Sequence, residues 1–220
     1  MKKLKNILST KILLKTQKQL LLNANFEVFE ADFIETKFID FDLKNIKQIL
    51  IFTSQNAVYA LLNHPKIEEL KSKTAFCVGL KTKALLQENG FKVEAYTSYA
   101  DDLAEIISLV YTNEAFTFFS GNLRRDTLPN ALSENGIQFN EIQVYETKIM
   151  PQKIDFKPDG ILFLSPSAVD SYLKLNKISN EICFAIGTTT AQALASNSIK
   201  SIEIAASQTI ESVIEKVVHY

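Results

Sequence analysis

Short apolar runs alternate with segments of helical period along the chain, and this alternation limits the fold more than any other feature. Apolar runs such as Gln48 to Phe52 predict strands, and the segment that follows, 54–62, has the apolar spacing of a helix. The further strand runs are Ile7-Leu8, Thr74 to Val78, Phe91 to Ala95, Ala115 to Phe119, Ile137 to Tyr145, 160–164, Glu181 to Ile186 and Ser201 to Ile204. Regular alternation is typical of parallel sheets, because parallel neighbours need a crossover between them. We therefore predict an α/β protein with doubly wound parallel sheets.

The chain also repeats itself with an offset of about 111 residues, roughly half of its 220 residues. Phe52-Thr-Ser-Gln-Asn-Ala-Val58 matches Phe163-Leu-Ser-Pro-Ser-Ala-Val169, and Ile34-Glu-Thr-Lys37 matches Tyr145-Glu-Thr-Lys148. Val78-Gly79 likewise matches Ile186-Gly187. Because the matches fall at the same points of the strand and helix pattern, they indicate a tandem duplication.

Two lobes with a cleft follow from this duplication and from a length above the commonest domain size of about 100 to 150 residues. The simplest partition cuts the chain near residue 112. In the other, 37–47 and 148–158 are paired linkers, so that 48–147 form one domain and 1–36 plus 159–220 form the other. The pattern by itself fits both partitions.

Charge and apolar content exclude several classes of function. The 24 Lys and Arg residues balance 25 Asp and Glu residues, so we expect neither a nucleic-acid partner nor binding to an anionic membrane. No stretch approaches the roughly 20 apolar residues of a membrane span, and 6–16 contain no uninterrupted apolar h-region. We expect a cytoplasmic protein that acts as a monomer.

Cysteine, histidine and glycine positions argue against a metal or nucleotide cofactor. Cys77 and Cys183 lie in apolar strand runs and are expected to be buried thiols. His64 and His219 offer no metal-ligand spacing and no nucleophile pair with a cysteine. Gly79 and Gly187 belong to no dinucleotide-binding or P-loop motif.

Small polar residues follow the predicted strands, at the edge where open parallel sheets bind ligands. These rim segments are Thr53-Ser54-Gln55-Asn56, Gly79-Leu80-Lys81-Thr82, Ser120-Gly121-Asn122, Ser165-Pro166-Ser167 and Gly187-Thr188-Thr189-Thr190. Each could simply cap a helix, since Ser, Thr and Asn are preferred N-caps. Four of them form repeat-related pairs, however, which favours an anionic ligand with several carboxylates or phosphates.

Cations and a phenol near these segments are further candidates. Lys11, Lys81, Arg124 and Arg125 could contact an anion, and Arg124-Arg125 opens a predicted helix over 124–134. An exposed pair, or an ion pair of these arginines with Glu134 or Asp126, is the structural alternative. Tyr145 ends a strand and could donate a proton, although Tyr59, Tyr96, Tyr99 and Tyr172 are not distinguished from it by pattern.

Taken in order, the motifs resemble the uroporphyrinogen-III synthase family over roughly residues 6–215. The motifs that carry the resemblance are Ile51-Phe-Thr-Ser-Gln-Asn-Ala-Val58, Cys77-Val-Gly79 with Thr82 and Ala84, Gly121 through Arg125-Asp-Thr-Leu-Pro129, Val144-Tyr-Glu-Thr147, Phe163-Leu-Ser-Pro-Ser-Ala-Val169 and Ala185-Ile-Gly-Thr188. It implies the second partition, with two doubly wound, flavodoxin-like domains joined by a two-stranded β ladder. It also implies the substrate hydroxymethylbilane, the product uroporphyrinogen III and no cofactor.

The resemblance also implies roles for individual residues. Tyr145 matches the proposed proton donor to the departing hydroxyl. Rim residues that match positions for the substrate's acetate and propionate groups are Thr53, Ser54, Ser165, Ser167, Gly187 and Thr188; Asn56, Gly79, Thr82, Ser120, Gly121 and Pro166 lie in the same segments. Two cationic positions depart from the family, because Ser9-Thr10-Lys11-Ile12 stands for a Thr-Arg-Pro pattern and Ser120-Gly121 for Arg-Gly. Lys11 could supply one missing cation, and Arg124 or Arg125 the other.

Two functions from other classes stay open at this point. A non-catalytic two-lobe protein that senses a tetrapyrrole or another polyanion would have the same pattern. A flavodoxin-like or receiver-like signalling module is the third possibility, but the acidic cluster expected after its first strand is missing around Ser9-Thr10.

Overall fold

The computed structural model describes residues 5–220 and contains two mainly parallel sheets covered by helices. Its strands are β1 Asn6–Ser9, β2 Glu27–Glu30, β3 Ile34–Phe38, β4 Ile49–Phe52, β5 Thr74–Val78, β6 Lys92–Thr97, β7 Ala115–Gly121, β8 Gln138–Ile149, β9 Gly160–Phe163, β10 Ile182–Ala185 and β11 Ile202–Ile204. Its helices are α1 Lys15–Asn23, α2 Gln55–Leu62, α3 Ile67–Lys71, α4 Leu80–Glu88, α5 Ala100–Val110, α6 Thr127–Glu134, α7 Pro166–Leu175, α8 Thr188–Ser196 and α9 Ile210–Val218. The predicted α/β class is confirmed.

The chain divides into two compact units. Unit 1 combines the N-terminal segment through Glu35 with Lys148–Tyr220, and unit 2 is Thr36–Thr147. The chain therefore passes between the units within β3 and within β8. The linkers over 37–47 and 148–158 stay a prediction, but both of these ranges begin inside strands.

Unit 1 has a five-stranded sheet in the order β11-β10-β9-β1-β2, with every described pairing parallel. Read along the chain this is the order 2-1-3-4-5, which is the flavodoxin-like arrangement. Helices cover both faces of a parallel sheet, so its central strands are apolar. In β9 this apolar run is Ile161, Leu162 and Phe163, all of which are buried. One core cluster lies around Phe163 and another around Leu162.

Unit 2 has the sheet order β3-β8-β7-β4-β5-β6. Without β3, unit 2 has five parallel strands in the same spatial arrangement as those of unit 1, with β7 in the place of β1 and β4 in the place of β9. The first of these strands along the chain is β4, however, whereas in unit 1 it is β1. The order is therefore circularly permuted to 3-2-1-4-5. Phenylalanines on neighbouring strands fill its centre, as where Phe52 and Phe119 stack with ring centroids 5.4 Å apart.

β3 pairs with β8 in a two-stranded ladder, as the family resemblance implies. The N–H of Ile39 donates to Val144 O at 3.2 Å, and the N–H of Met150 donates to Phe33 O at 2.8 Å. Because one residue number rises as the other falls, this pairing is antiparallel. The hydroxyls of Thr36 and Thr147, which belong to the repeated Glu-Thr-Lys motif, lie 3.4 Å apart.

Candidate active site

The rim of unit 2 is built at the carboxyl ends of β4 and β7. These strands are neighbours, yet the chain continues from β4 to β5 on one side and from β7 to β8 on the other. Such a reversal of strand order leaves a crevice between the two loops that follow the strands, and ligands of open α/β sheets bind there. The predicted segments at Thr53 and Ser120 stand at this point.

Ser54 shows that capping accounts for part of the rim. Its hydroxyl accepts the N–H of Asn56 at 3.1 Å and so caps α2. Thr53, Ser54 and Asn56 are all half-buried. The structural alternative therefore holds for the Ser54 oxygen, while the side chains of Thr53 and Asn56 remain partly accessible.

Gly79 has a backbone conformation that favours glycine. Its φ of 91° lies in the left-handed region, and its N–H donates to Thr97 O at 2.9 Å. Thr82, on the first turn of α4, is only 4% exposed. The glycine therefore permits the turn into α4, and Thr82 faces the interior rather than the solvent side of the rim.

Tyr145 lies against the end of β7. A Cβ atom at Gly121 would come within 2.3 Å of its ring atoms Cε2 and Cζ and within 2.8 Å of its hydroxyl oxygen. The ring therefore packs on the bare Cα of Gly121, and the predicted rim glycine and the predicted acid form a single contact. Tyr145 is half-buried and packs on the core around Phe52 and Phe119.

Asn122 holds β8 two residues beyond this tyrosine. Its side-chain Nδ2 donates to Thr147 O at 3.1 Å, and its Oδ1 accepts the N–H of Thr147 at 2.8 Å. The amide thus bonds both backbone groups of one strand residue, as a neighbouring strand would. Asn122 belongs to a predicted rim segment, but no pattern in the sequence predicts this bonding role.

Arg124 is committed to carboxylates of its own chain. Its Nε donates to Glu141 Oε1 at 2.7 Å and its Nη2 to Glu141 Oε2 at 3.0 Å, while Nη1 bonds Asp126. Ser120 also donates to Glu141 Oε1, at 2.5 Å. Burial raises the pKa of Glu141, but the hydrogen bonds from Arg124 and Ser120 outweigh it and lower that pKa overall.

One expectation about the arginine pair is corrected by this geometry, and another is confirmed in part. α6 begins at Thr127, so Arg124 and Arg125 lie in the preceding loop and do not open the helix. The ion pair with Asp126 was anticipated, but the partner that makes two hydrogen bonds is Glu141, which sequence reasoning missed. Its repeat counterpart Glu30, 111 positions earlier, was a signal that could have identified it.

In unit 1, the corresponding rim lies at the ends of β1 and β9. Ser165 caps α7 by accepting the N–H of Ala168 at 3.1 Å, and Pro166 occupies the first helical position, which suits its fixed φ. Ser167 is half-buried beside them. This rim thus reproduces the arrangement around Ser54.

Gly187 is the cap residue of α8, and Thr188 begins that helix. Gly187 is buried, and a Cβ there would meet the Gln208 side chain at 3.2 Å. Thr188 is exposed. Of the two, Thr188 is the residue whose side chain a ligand could reach.

The loop after β1 has its donors filled by internal carbonyl and carboxylate oxygens. The N–H of Ile12 donates to Asp32 Oδ1 at 3.0 Å, and the N–H of Leu13 donates to Glu30 Oε1 at 2.8 Å. Lys11 is exposed, and its carbonyl accepts the Ser9 hydroxyl at 2.6 Å. Lys11 is therefore placed to reach solvent, but the amides beside it already have partners.

Within residues 5–220, no group of three or more His, Cys, Asp or Glu side chains is arranged to hold a metal ion. No helix in this part of the chain combines the length and apolar character needed to cross a membrane.

The uroporphyrinogen-III synthase HemD family model matches residues 15–215 of the chain. The chain belongs to the uroporphyrinogen-III synthase family. The chain is similar to the uroporphyrinogen-III synthase of Chlorobaculum parvum. The two are 27% identical over 173 residues, and the alignment covers 69% of this chain and 70% of that protein.

Solved structures named as uroporphyrinogen-III synthases share the fold. The uroporphyrinogen-III synthetase of Helicobacter pylori is 23% identical, with 98% of this chain and 99% of that chain covered at a TM-score of 0.72. A mutant uroporphyrinogen-III synthase of the extremely thermophilic bacterium Thermus thermophilus is 15% identical, with 96% of each chain covered at a TM-score of 0.74. At these identities the likeness supports the two-domain α/β fold alone.

The site residues predicted from the uroporphyrinogen-III synthase family do not all lie together in this chain. Tyr145 and Gly121 are in direct contact, and they lie at the same strand end as Ser120. Gly187 and Thr188 belong to the other unit. Arg124, offered as a substitute for a familiar cation, is instead held by Glu141 and Asp126.

Proposed function

We propose that the chain closes hydroxymethylbilane to uroporphyrinogen III, with inversion of ring D and loss of water. Membership of the uroporphyrinogen-III synthase family supports this reaction. The observation that supports a particular catalytic group is the packing of Tyr145 on Gly121, at the strand-order reversal of unit 2. A phenol held at a ligand-binding rim is suited to donate a proton.

Tyr145 is the proposed acid for the first step. The pyrrole nitrogen of ring A pushes its electron pair toward the hydroxymethyl carbon, and the C–O bond breaks. The leaving oxygen takes the phenol proton and departs as water, and the pyrrole N–H proton then returns to the phenolate, leaving an azafulvene. No cofactor is proposed, because the pyrrole itself supplies the electrons.

The later steps need shape more than chemistry from the protein. The substituted carbon of ring D attacks the azafulvene carbon and gives a spiro intermediate. The bond from the spiro carbon to the methylene of ring C then breaks and leaves an azafulvene on ring C. The free α carbon of ring D attacks that methylene and loses its proton, which closes the macrocycle with ring D inverted. Holding the chain of pyrroles folded and away from water favours this path over direct closure. The rim positions are the part of the protein proposed to do this.

The substrate's eight carboxylates are proposed to bind to the accessible polar side chains of the rims. In unit 2 these are Thr53, Ser54 and Asn56, which are half-buried rather than enclosed. In unit 1 they are Ser165, Ser167 and Thr188. Gly79, Thr82, Ser120, Gly121, Pro166 and Gly187 are proposed to shape the loops, because their backbone geometry, burial or internal bonds account for them.

Cations are proposed to make a smaller contribution. Lys11 is exposed in the loop after β1 of unit 1, and Arg125 is exposed in the loop after β7 of unit 2. Arg124 uses three of its N–H groups on Glu141 and Asp126. A guanidinium has five, so two remain for a substrate carboxylate.

We also propose that the protein is a cytoplasmic monomer. Cys77 and Cys183 are buried and free of disulfide bonds, as is usual for thiols in a reducing compartment. Size-exclusion chromatography with light scattering tests the monomer, and fractionation of the source cells tests the compartment.

The deciding experiment is incubation with freshly made hydroxymethylbilane, followed by oxidation and chromatographic separation of the type I and type III uroporphyrins. We expect type III to predominate, because unassisted closure occurs without ring inversion and gives type I. Type I at the rate of the blank would refute the synthase activity and support a non-catalytic tetrapyrrole-binding protein instead.

Tyr145→Phe tests the role of the phenol. We expect kcat to fall by about 100-fold, within the range typical for a lost general acid, with KM little changed. Tyr99→Phe, at an exposed tyrosine of the same unit, is the matched control. Unchanged turnover in Tyr145→Phe would remove this residue from the mechanism.

A further inference from the structure

The pairing of β7 with β8 is irregular where Tyr145 lies. Ser120 is opposite Gln143, but the next residue, Gly121, is opposite Tyr145, so Val144 is an extra residue on β8. Such a bulge interrupts the ladder and re-aims the side chains beyond it. Tyr145 therefore sits where the pairing of β8 with β7 is irregular, while β3 still pairs with the opposite edge of β8.

Asn122 restrains the edge of β8 that faces β7. Its two hydrogen bonds engage both the N–H and the C=O of Thr147, at 2.8 and 3.1 Å. A side-chain amide has the donor and acceptor that a paired strand would offer. β8 is thus fastened again immediately after the bulge.

The two supports of Tyr145 come from consecutive residues. Gly121 lies under the ring of Tyr145, and the ring leaves no space for a Cβ at this position. Asn122 fixes the backbone two residues further along β8. Contact with Gly121 stops the ring from moving toward β7, and the Asn122 bonds stop β8 from carrying the ring away.

We propose that Asn122 is a positioning residue that holds the Tyr145 phenol in place by fastening β8 at Thr147, an inference that rests on the function proposed above. Asn122 is exposed, and both of its described bonds go to the strand rather than to the core. Its effect on the reaction therefore passes through Tyr145.

The test compares Asn122→Ala with Asn135→Ala. Asn135 is an exposed asparagine of the same unit, and its amide donates to Ala131 O at 2.8 Å at the far end of α6. We expect Asn122→Ala to lower kcat by about 10- to 100-fold, as a displacement near 1 Å of a reacting group would, with KM within about twofold of wild type. Asn135→Ala should leave both constants unchanged.

Coupling to the phenol separates positioning from a merely structural role. In a Tyr145→Phe background, Asn122→Ala should have no further effect on kcat, because the group that it positions is already gone. A wild-type kcat in Asn122→Ala, or a loss that persists undiminished without the Tyr145 hydroxyl, would overturn the proposal. Should the alanine variant fail to fold, Asn122→Asp takes its place, since it keeps the acceptor and loses the donor to Thr147 O.

A readout on the ring itself keeps this inference separate from the proposed reaction. If the wild type yields only type I product at the blank rate, the synthase function fails, and the inference is decided by NMR of tyrosine-labelled protein. Ring signals assigned to Tyr145 by their loss in Tyr145→Phe should show slow ring flipping in the wild type and fast flipping in Asn122→Ala. Identical ring signals in the two proteins would refute the positioning role.

Discussion

Gly121→Ala is the perturbation whose consequence can be worked out most directly. The added Cβ would stand 2.3 Å from Tyr145 Cε2 and Cζ, whereas ordinary contact begins at 3.4 Å, so the ring must withdraw by 3.4 − 2.3, or 1.1 Å. The backbone itself tolerates alanine, because Gly121 is not among the positive-φ residues described. The whole effect therefore falls on the tyrosine.

Two magnitudes follow from this displacement. Misplacing a reacting group by about 1 Å lowers a rate by about 100-fold, so kcat for type III formation should fall by about that factor. Overpacking a fitted contact costs about 1 to 3 kcal/mol, which should reduce the free energy of unfolding by urea. Initial rates with hydroxymethylbilane and urea titrations measure the two effects independently.

Double variants decide whether the ring is the cause. With Tyr145→Ala the ring is absent, so adding Gly121→Ala should cost no further unfolding free energy. With Tyr145→Phe the ring remains but the proposed proton donor is gone, so Gly121→Ala should still destabilise the protein while leaving kcat as it is. A Gly121→Ala protein with wild-type kcat would refute this account of the site.

Two further predictions concern acid stability and thiol reactivity. Because folding lowers the pKa of Glu141 from its ordinary 4.5, the ionised carboxylate stabilises the protein above about pH 4.5, and this contribution is lost as pH falls through the lower folded value. In urea titrations Glu141→Gln should therefore have a lower free energy of unfolding than wild type at pH 7, and the difference should narrow toward pH 3. A difference independent of pH would contradict this. Burial raises the pKa of Cys77 to about 11 and that of Cys183 to about 12, so neither thiol should react with iodoacetamide in the native protein at pH 8 and both should react in urea; native alkylation at either site, detected by mass spectrometry, would contradict the buried assignment.

The elements that the sequence predicted best are those whose apolar pattern is local. The run Gln48 to Phe52 and the helix over 54–62 correspond to β4 and α2, with boundaries displaced by one residue. β2, β3 and α3 were not predicted, and β3 lies partly in a segment taken for a linker. β3 is mostly exposed and owes its strand to pairing with β8, which is more than 100 residues away in the chain.

The site was predictable by type but not by arrangement. Ser54 and Ser165 could be placed at helix starts because capping is a local preference. Tyr145 could be singled out only through the family resemblance, because what distinguishes it from other tyrosines is its contact with Gly121, 24 positions earlier. The ion pair of Arg124 with Glu141 could not be predicted from the local sequence either, because it joins residues on different elements of unit 2.

The duplication explains why the rims are alike and the proposed chemistry is not. With the offset of 111, β8 corresponds to β2 and β3 together, Glu141 to Glu30, Gly121 to Thr10 and Tyr145 to Ile34. Glu30 and Glu141 have kept one role, because each accepts a hydrogen bond from the loop after the neighbouring strand, from Leu13 after β1 and from Arg124 after β7.

The tyrosine and its glycine, by contrast, occur only in unit 2. At the equivalent place in unit 1, Thr10 has a Cβ and its hydroxyl donates to Leu162 O at 2.7 Å. Since a Cβ at Gly121 would overlap the ring of Tyr145, the position of the proposed acid requires glycine at 121. A proton donor at the equivalent place in unit 1 would therefore require changes at both Thr10 and Ile34, which is why the proposed acid catalysis is assigned to the rim of unit 2.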